Sequence, residues 1–345
     1  MRKILLAAVA AGSLLSTASL AEDLVFASWG GTYQEAIRKV WLNPFSKETG
    51  VKVEEDTEPE VAKIKAMVDT NSVTWDVVTG GGGTLMRGVN LGLFERITPD
   101  MVNQDHVIPG ARNDYGVPSE IFSSLIGYST KAFPEGKPQP TTFADFWDVE
   151  KFPGKRTLPD KAETVLEAAL IADGVEMTKV YEVLSTEDGL KRALQKVRTL
   201  KPHIVAFWSS GAQPVQMLGS GEAALAFGWN GRFQGGIDAN LPIKMSWEQQ
   251  IPQVGFFMIP KGAPDKAAAV KFLNFIVKPE NNAKLSEFVA YGPVTEKAWQ
   301  FIDAKRAERL PSTAERLKTA LFLDIGWWAK NGTKASEAYT AMLKD

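Results

Sequence analysis

Apolar residues along this chain fall into two rhythms: short uninterrupted runs, and longer segments in which they recur at helical spacing. Val25–Trp29 reads as a strand that runs into a glycine turn at Gly30-Gly31. Tyr33–Glu48 reads as a helix with Ile37, Val40, Trp41 and Phe45 on one face. Val51–Glu54 is a second expected strand, and Val61–Asp69 a helix carrying Val61, Ile64, Met67 and Val68. Trp75–Val78 reads as a short buried strand, followed by the Gly80–Gly83 run and a helix over Leu85–Asn90. This β-α-β-α-β order predicts a parallel sheet with right-handed crossovers. Ligands on such sheets lie beyond the carboxyl ends of the strands, where these glycine turns fall.

Further on, Gly116–Ser119 and Ile121–Tyr128 read as extended segments, the second a long apolar run without helical period. Phe143–Asp148, capped by Thr142, Ala162–Ala172 and Asp188–Leu200 read as helices. Val205–Trp208 and Ala223–Trp229 read as strands around a short helix at Pro214–Leu218. Ile243–Trp247 and Val254–Ile259 follow as strands. Helices are expected over Lys266–Val277, Glu280–Val289, Glu296–Lys305 and Thr313–Phe322. The chain therefore leaves a first α/β unit near Ile121–Tyr128, builds a second, and re-enters the first near Val254–Ile259. Two extended crossings make a hinge between two lobes. The expected limits are 22–123 plus 254–300 for the first lobe and 124–253 plus 301–345 for the second.

The chain's first residues change the picture. Arg2 and Lys3 precede an uncharged run over Ile4–Leu15, and Ser19-Leu20-Ala21 supplies small residues where a signal peptidase reads. Twelve apolar and small residues are too few for the ~20 of a membrane helix. Residues 1–21 are thus expected to be a signal peptide cut after Ala21, which makes the mature protein exported. Without Cys, neither a disulfide nor a lipid anchor at the cleavage site is available. The mature chain keeps 37 basic against 41 acidic side chains, a balance that speaks against nucleic acid. Two His and no Cys leave little for a zinc or copper site, so no metal and no cofactor are expected. Ten Trp provide either core mass or aromatic faces suited to organic ligands and cations.

Several stretches, collinear over nearly the whole mature chain, together resemble the periplasmic receptors of the spermidine/putrescine family, which serve ABC importers. Trp29-Gly30-Gly31-Thr32-Tyr33 stands where that family has an N-terminal Trp-x-x-Tyr-like turn. Phe45-Ser46-Lys47-Glu48-Thr49-Gly50-Val51-Lys52-Val53 is similar to its F-x-K-E-T-G-I-K-V. Trp75-Asp76-Val77-Val78 is similar to its Y-D-L-V-V strand. Phe143-Ala144-Asp145-Phe146-Trp147 with Phe152-Pro153-Gly154-Lys155 resembles its W-A-D-L-W and Y-K-G. Gly221-Glu222, Trp229-Asn230-Gly231, Phe272-Leu273-Asn274-Phe275 and Tyr291-Gly292-Pro293 continue in order. The resemblance implies an α/β fold of two mixed lobes joined by a two-crossing hinge. It also implies capture of a small nitrogenous solute between the lobes, and delivery to a membrane permease by a monomer that carries out no chemical step.

Carried over residue by residue, the resemblance assigns Trp29, Asp160, Glu163, Trp229 and Tyr291 to the cleft. Asp160, three residues before Glu163, equally suits the N-cap of a helix. Departures from the family pattern shape the expected ligand. The polyamine receptors have an Asp four residues before the Ile-Pro that ends the returning strand; here that residue is Gly255. Putrescine receptors tend to have an acid three residues after the cleft Trp; here it is Arg232. The polar turn after the third strand has become Thr79-Gly80-Gly81-Gly82-Gly83-Thr84. This run is either a tight strand-to-helix turn or a set of backbone amides, Gly81 and Gly82 foremost, at a helix N-terminus that favours anions. With Thr32 in the opening turn, the set predicts a ligand bearing a carboxylate beside an amine: polyamine-like, opine-like or amino-acid-derived. The alternatives are a true putrescine or spermidine receptor and, from another class, an exported hydrolase. No Gly-x-Ser-x-Gly elbow supports the latter.

Overall fold

The computed structural model describes residues 23–108 and 111–345; the expected leader and its cleavage site lie outside the described residues. The strands are β1 (Asp23–Ser28), β2 (Lys52–Thr57), β3 (Val77–Gly81), β4 (Val117–Ser129), β5 (Arg156–Pro159), β6 (Ile204–Trp208), β7 (Leu225–Trp229), β8 (Ile243–Met245) and β9 (Ile251–Met258). They form one mixed sheet in the order β2-β1-β3-β9-β4-β7-β5-β6, with β8 also on β4. As the alternating pattern predicts, β1 pairs in parallel with both β2 and β3.

The two crossings meet as one antiparallel pair. β4 pairs with β9 from Val117↔Phe257 to Ser124↔Ile251, with a bulge between Pro118 and Glu120. Its other half pairs with β7 and β8, while β9 continues onto β3. The segments read as Gly116–Ser119 and Ile121–Tyr128 are thus a single 13-residue strand that serves both halves of the sheet.

Two large cores sit on either side of this pair. One joins Phe26, Trp41, Phe45, Phe257, Phe272 and Leu273. Burying it gives the helix Lys266–Ile276 its inward face. The other joins Phe143, Phe146, Val165, Leu166, Leu170 and Phe227 with Trp328 and Tyr339. Those last two lie on a 20-residue helix, Ile325–Lys344, that the sequence reading lacks. It is capped by the Asp324 side chain, which accepts from Trp327 N at 2.8 Å. Thr313–Phe322, expected to be helical, holds one turn at Ala314–Leu317. The chain then leaves it to hydrogen-bond β9's approach, Leu321 N to Gln250 O at 3.1 Å and Leu323 N to Pro252 O at 3.0 Å. Among the described residues no helix is long and apolar enough to cross a membrane.

Candidate functional site

β3, β9 and β4 run side by side where the two halves of the sheet meet, and one row of residues across all three forms the floor of the candidate site. Gly81 on β3 faces Gly255 on β9, which faces Glu120 on β4. A side chain on Gly81 would meet open space, whereas a Cβ on Gly255 would stand 2.1 Å from Glu120 Oε1. The position read as lacking an acid is therefore covered by one. The paired strand supplies it, and Gly255 is the residue that lets it lie there. That corrects the sequence reading of a missing carboxylate.

Glu120 is almost fully buried. Its Oε1 accepts from Tyr33 Oη at 2.6 Å, and its Oε2 has no hydrogen-bond partner among the described residues. Burial pushes its pKa up to about 7, against the opposing pull of the hydroxyl contacts. Tyr33 and Tyr291 stand side by side, ring centroids 6.0 Å apart. Burial holds Tyr33 well above the usual phenol range and pushes Tyr291 up to about 12.

An aromatic wall continues from this floor on the same face of β4. Phe122 packs against Tyr291 at 5.6 Å and edge-on to Trp229 at 6.2 Å, and Trp229 meets Trp208 edge-on at 5.3 Å. Trp229 has room because residue 211 is glycine: a Cβ there would come within 2.6 Å of its ring. Buried Asn230 fixes the corner, accepting from Ser123 N at 2.9 Å and donating to Ala290 O at 2.5 Å. Ile121 and Gly292 exchange two backbone hydrogen bonds of 2.8 Å, which holds Tyr291 against β4.

Arg232 lies in the first turn of the helix Asn230–Asp238. Its Nη1 donates to Thr32 Oγ1 at 3.0 Å, bringing the turn after β1 to the end of β7. Its Nε is buried without a partner among the described residues. Trp29, 39% exposed, flanks that turn at the cleft's mouth, where Gly30 and Gly31 take the left-handed φ of 63° and 60° that glycine allows without strain.

The glycine run begins a longer helix than expected, Gly82–Asn90, with Gly81 as its N-cap and no side chain capping it. Gly82 is taken up by packing: a Cβ there would sit 2.1 Å from Ile325 Cγ2 on the terminal helix. Gly83 meets Glu163, whose Oε1 lies 2.1 Å from where a Cβ would be. A carboxylate against a helix N-terminus is electrostatically favourable. Burial nonetheless raises the Glu163 pKa, with Lys161 and Arg87 pulling the other way. Asp160 is not a helix cap. The helix starts at Val165, and its N-cap is Thr164 at a left-handed φ of 67°. Asp160 Oδ1 is buried without a partner among the described residues. Its backbone N–H donates to Trp208 O at 2.9 Å.

The structure thus gathers Thr32, Trp229, Arg232 and Tyr291 into one connected set, with Gly81 opening beside it. Glu163 faces the glycine helix. The sequence reading lacks Glu120, Tyr33, Phe122 and Trp208. Glu120 has a signal, an isolated acid inside the otherwise uncharged stretch Val117–Tyr128.

A crossed two-lobe sheet whose cleft combines an aromatic wall, a buried carboxyl and an arginine defines a solute-binding protein. The chain belongs to the bacterial extracellular solute-binding protein family, whose model matches residues 41–312. It is 33% identical over 322 residues to a gamma-aminobutyric acid-binding protein of Pseudomonas aeruginosa, covering 93% of this chain and 90% of that one. It is 27% identical over 356 residues to the spermidine/putrescine-binding periplasmic protein of Escherichia coli, covering 96% and 94%. Among solved structures it is similar to the periplasmic binding protein MotA of A. tumefaciens B6 in complex with glucopine. That likeness has a TM-score of 0.87 and 34% identity, covering 93% of this chain and 99% of MotA. The protein is a substrate-binding component of the ABC-importer type.

Proposed function

We propose that this protein captures a small amino-bearing carboxylate in the periplasm, closes its lobes around it, and presents it to a membrane permease. The observation that carries the reading is Arg232. It is a guanidinium tied to Thr32 across the cleft, with its buried Nε unpartnered beside Trp229 and Tyr291. A carboxylate is the natural complement of that fork. The reading is supported by the names of the relatives, which bind gamma-aminobutyric acid or glucopine. A plain diamine suits a cleft with an arginine poorly, so spermidine and putrescine rank below amino acids with a distal amine and opines.

In this reading Trp29 and Trp229 stack on the organic part of the solute, Asp160 and Glu163 line the second lobe's side, and the amides of Gly81 and Gly82 face the cleft. The lobes are 22–123 plus 254–300 and 124–253 plus 301–345. The protein works as a monomer without cofactor, metal, nucleic acid or chemical step, after removal of residues 1–21. The test is a calorimetric and thermal-shift screen of amino acids, opines, polyamines and sugars on the mature chain. One tight, stoichiometric, unconverted amino-bearing carboxylate is the expected result. At a hundred times its Kd it adds about 2.7 kcal/mol to stability. Tight binding of a polyamine or sugar alone, or turnover of the bound compound, overturns the reading.

A further inference from the structure

Glu120 has no place among the residues that resemblance assigns to the cleft, yet it is the most unusual group in it. A carboxyl on the central strand, buried to within a few per cent, has one oxygen satisfied by Tyr33 and the other by nothing among the described residues. Buried carboxylates are ordinarily paired. The groups facing Glu120 are hydroxyls: Ser119 beside it on β4, Tyr33 from the helix after β1, and Tyr291 from the segment hydrogen-bonded to β4. The charged group of this set, Arg232, acts electrostatically on the Tyr291 ring, as Glu120 does with the opposite sign. The carboxyl also has a dedicated seat, since any side chain on Gly255 would displace it. Beside that seat Gly81 leaves open space.

We infer that Glu120 is the amine-binding and specificity-determining residue of the cleft, its free Oε2 receiving the ammonium of the solute whose carboxylate goes to Arg232. Tyr33 holds the carboxylate by Oε1 so that Oε2 is presented. The rings of Tyr291, Phe122 and Trp229 line the path between the two charges. The inference rests on the function proposed above and deepens it, because it selects for the charge of the amine. Glu163, lying against Gly83, is left to the lobe-to-lobe contact.

The test compares wild type, Glu120→Gln and Arg232→Ala at about pH 8. Glutamine keeps the acceptor for Tyr33 and removes the charge, and the unliganded melting curve reports whether the variant folds. The calorimetric probes are 4-aminobutyrate, glucopine and their N-acetylated forms. Glu120→Gln is expected to weaken the amino forms at least tenfold and to erase the preference for amino over acetylated form. Arg232→Ala should weaken both forms. Unchanged affinity of the amino forms for Glu120→Gln overturns the Glu120 assignment while leaving the solute class standing. Failure of every probe on wild type overturns the solute class instead. In that event propylammonium chloride decides on Glu120 separately. A melting temperature raised above that in equal sodium chloride, in wild type but not in Glu120→Gln, upholds the subsite; equal responses overturn it.

Discussion

Glu167 offers the cleanest measurement of what a buried carboxyl costs this fold. Its helix, Val165–Ala172, is buried almost throughout. Glu167 Oε1 accepts from Trp328 Nε1 at 2.7 Å and from Tyr181 Oη at 3.1 Å, while Oε2 has no partner among the described residues. Burial first, and the like charge of Glu163 in addition, push its pKa from 4.5 to about 7. The sign follows directly. Between those two values the folded state holds a proton that the unfolded chain has lost, so stability falls as pH rises. The contribution is complete below about pH 4.5 and gone above about pH 7. A shift of this size corresponds to roughly 3 kcal/mol at 1.36 kcal/mol per unit. Glu167→Gln retains the acceptor for Trp328 and Tyr181 and cannot ionise. It is therefore near neutral or mildly destabilising at about pH 5, by ~1 kcal/mol for the unpartnered amide. Relative to wild type it should gain roughly 3 kcal/mol by about pH 8. Urea unfolding of ligand-free protein at several pH values, followed by tryptophan fluorescence, reads the difference. A difference between the two proteins that stays constant from about pH 5 to pH 8 would refute the reasoning.

Other outcomes follow from the cleft. Arg232→Ala, which also removes the contact to Thr32, should cost ~1.5–3 kcal/mol of binding; calorimetric affinity equal to wild type counts against a carboxylate ligand. Since Glu120 titrates at about 7 and its protonated form cannot hold an ammonium, affinity for an amino ligand should fall toward tenfold per unit below about pH 7. Tyr33 and Tyr291, which share its surroundings, are both pushed up by burial and stay protonated across that range. Glu120→Gln should flatten the profile, and a slope surviving in that variant assigns the proton elsewhere. Gly82→Ala places a Cβ against Ile325, so it should hold the glycine helix away from the terminal helix. Small-angle scattering then reads a larger radius of gyration with ligand present, and Ile325→Ala in the same chain restores it; scattering identical to wild type removes Gly82 from the closing contact.

Much of the architecture is legible because periodicity is a local property. Strands β1, β3, β4 and β9 appear as apolar runs between helical segments. What escapes is set by contacts distant in sequence. Strand β5, which the sequence reading lacks, begins at Arg156, whose guanidinium is buried. It donates to the carbonyls of Phe146, Asp148, Phe152 and Gly154, which close the loop just before it. The terminal helix carries Gly326 and Gly332, and although its buried Trp328, Ala335, Tyr339 and Met342 recur at helical spacing, the polar and small residues between them dilute the signal. It is helical because the second core receives those side chains. In the cleft, Trp229 and Arg232 stand out by position after an apolar strand. Glu120 is harder, because strand pairing decides which residue covers Gly255, and pairing is invisible in a linear pattern.

The same pairing explains how capture and lobe closure can be one event. β4 and β9 are the two crossings, and Glu120 and Gly255 face each other on them. In the proposed two-lobe reading, a ligand amine at Glu120 would sit at the hinge, where a rigid-body rotation of either lobe displaces atoms least. The groups that would travel in that reading are Arg232 with its partner Thr32, and Glu163 with Gly83. One end of the solute can then be held in both open and closed states, while the other is engaged only on closing. Differential affinity for the closed state, which alone can shift the equilibrium, then comes from the carboxylate contact at Arg232. Affinity lost in Glu120→Gln should accordingly leave the ligand-bound scattering profile closed at saturation. Affinity lost in Arg232→Ala should leave it open even when the site is filled. The opposite pairing of outcomes would place the pivot away from β4.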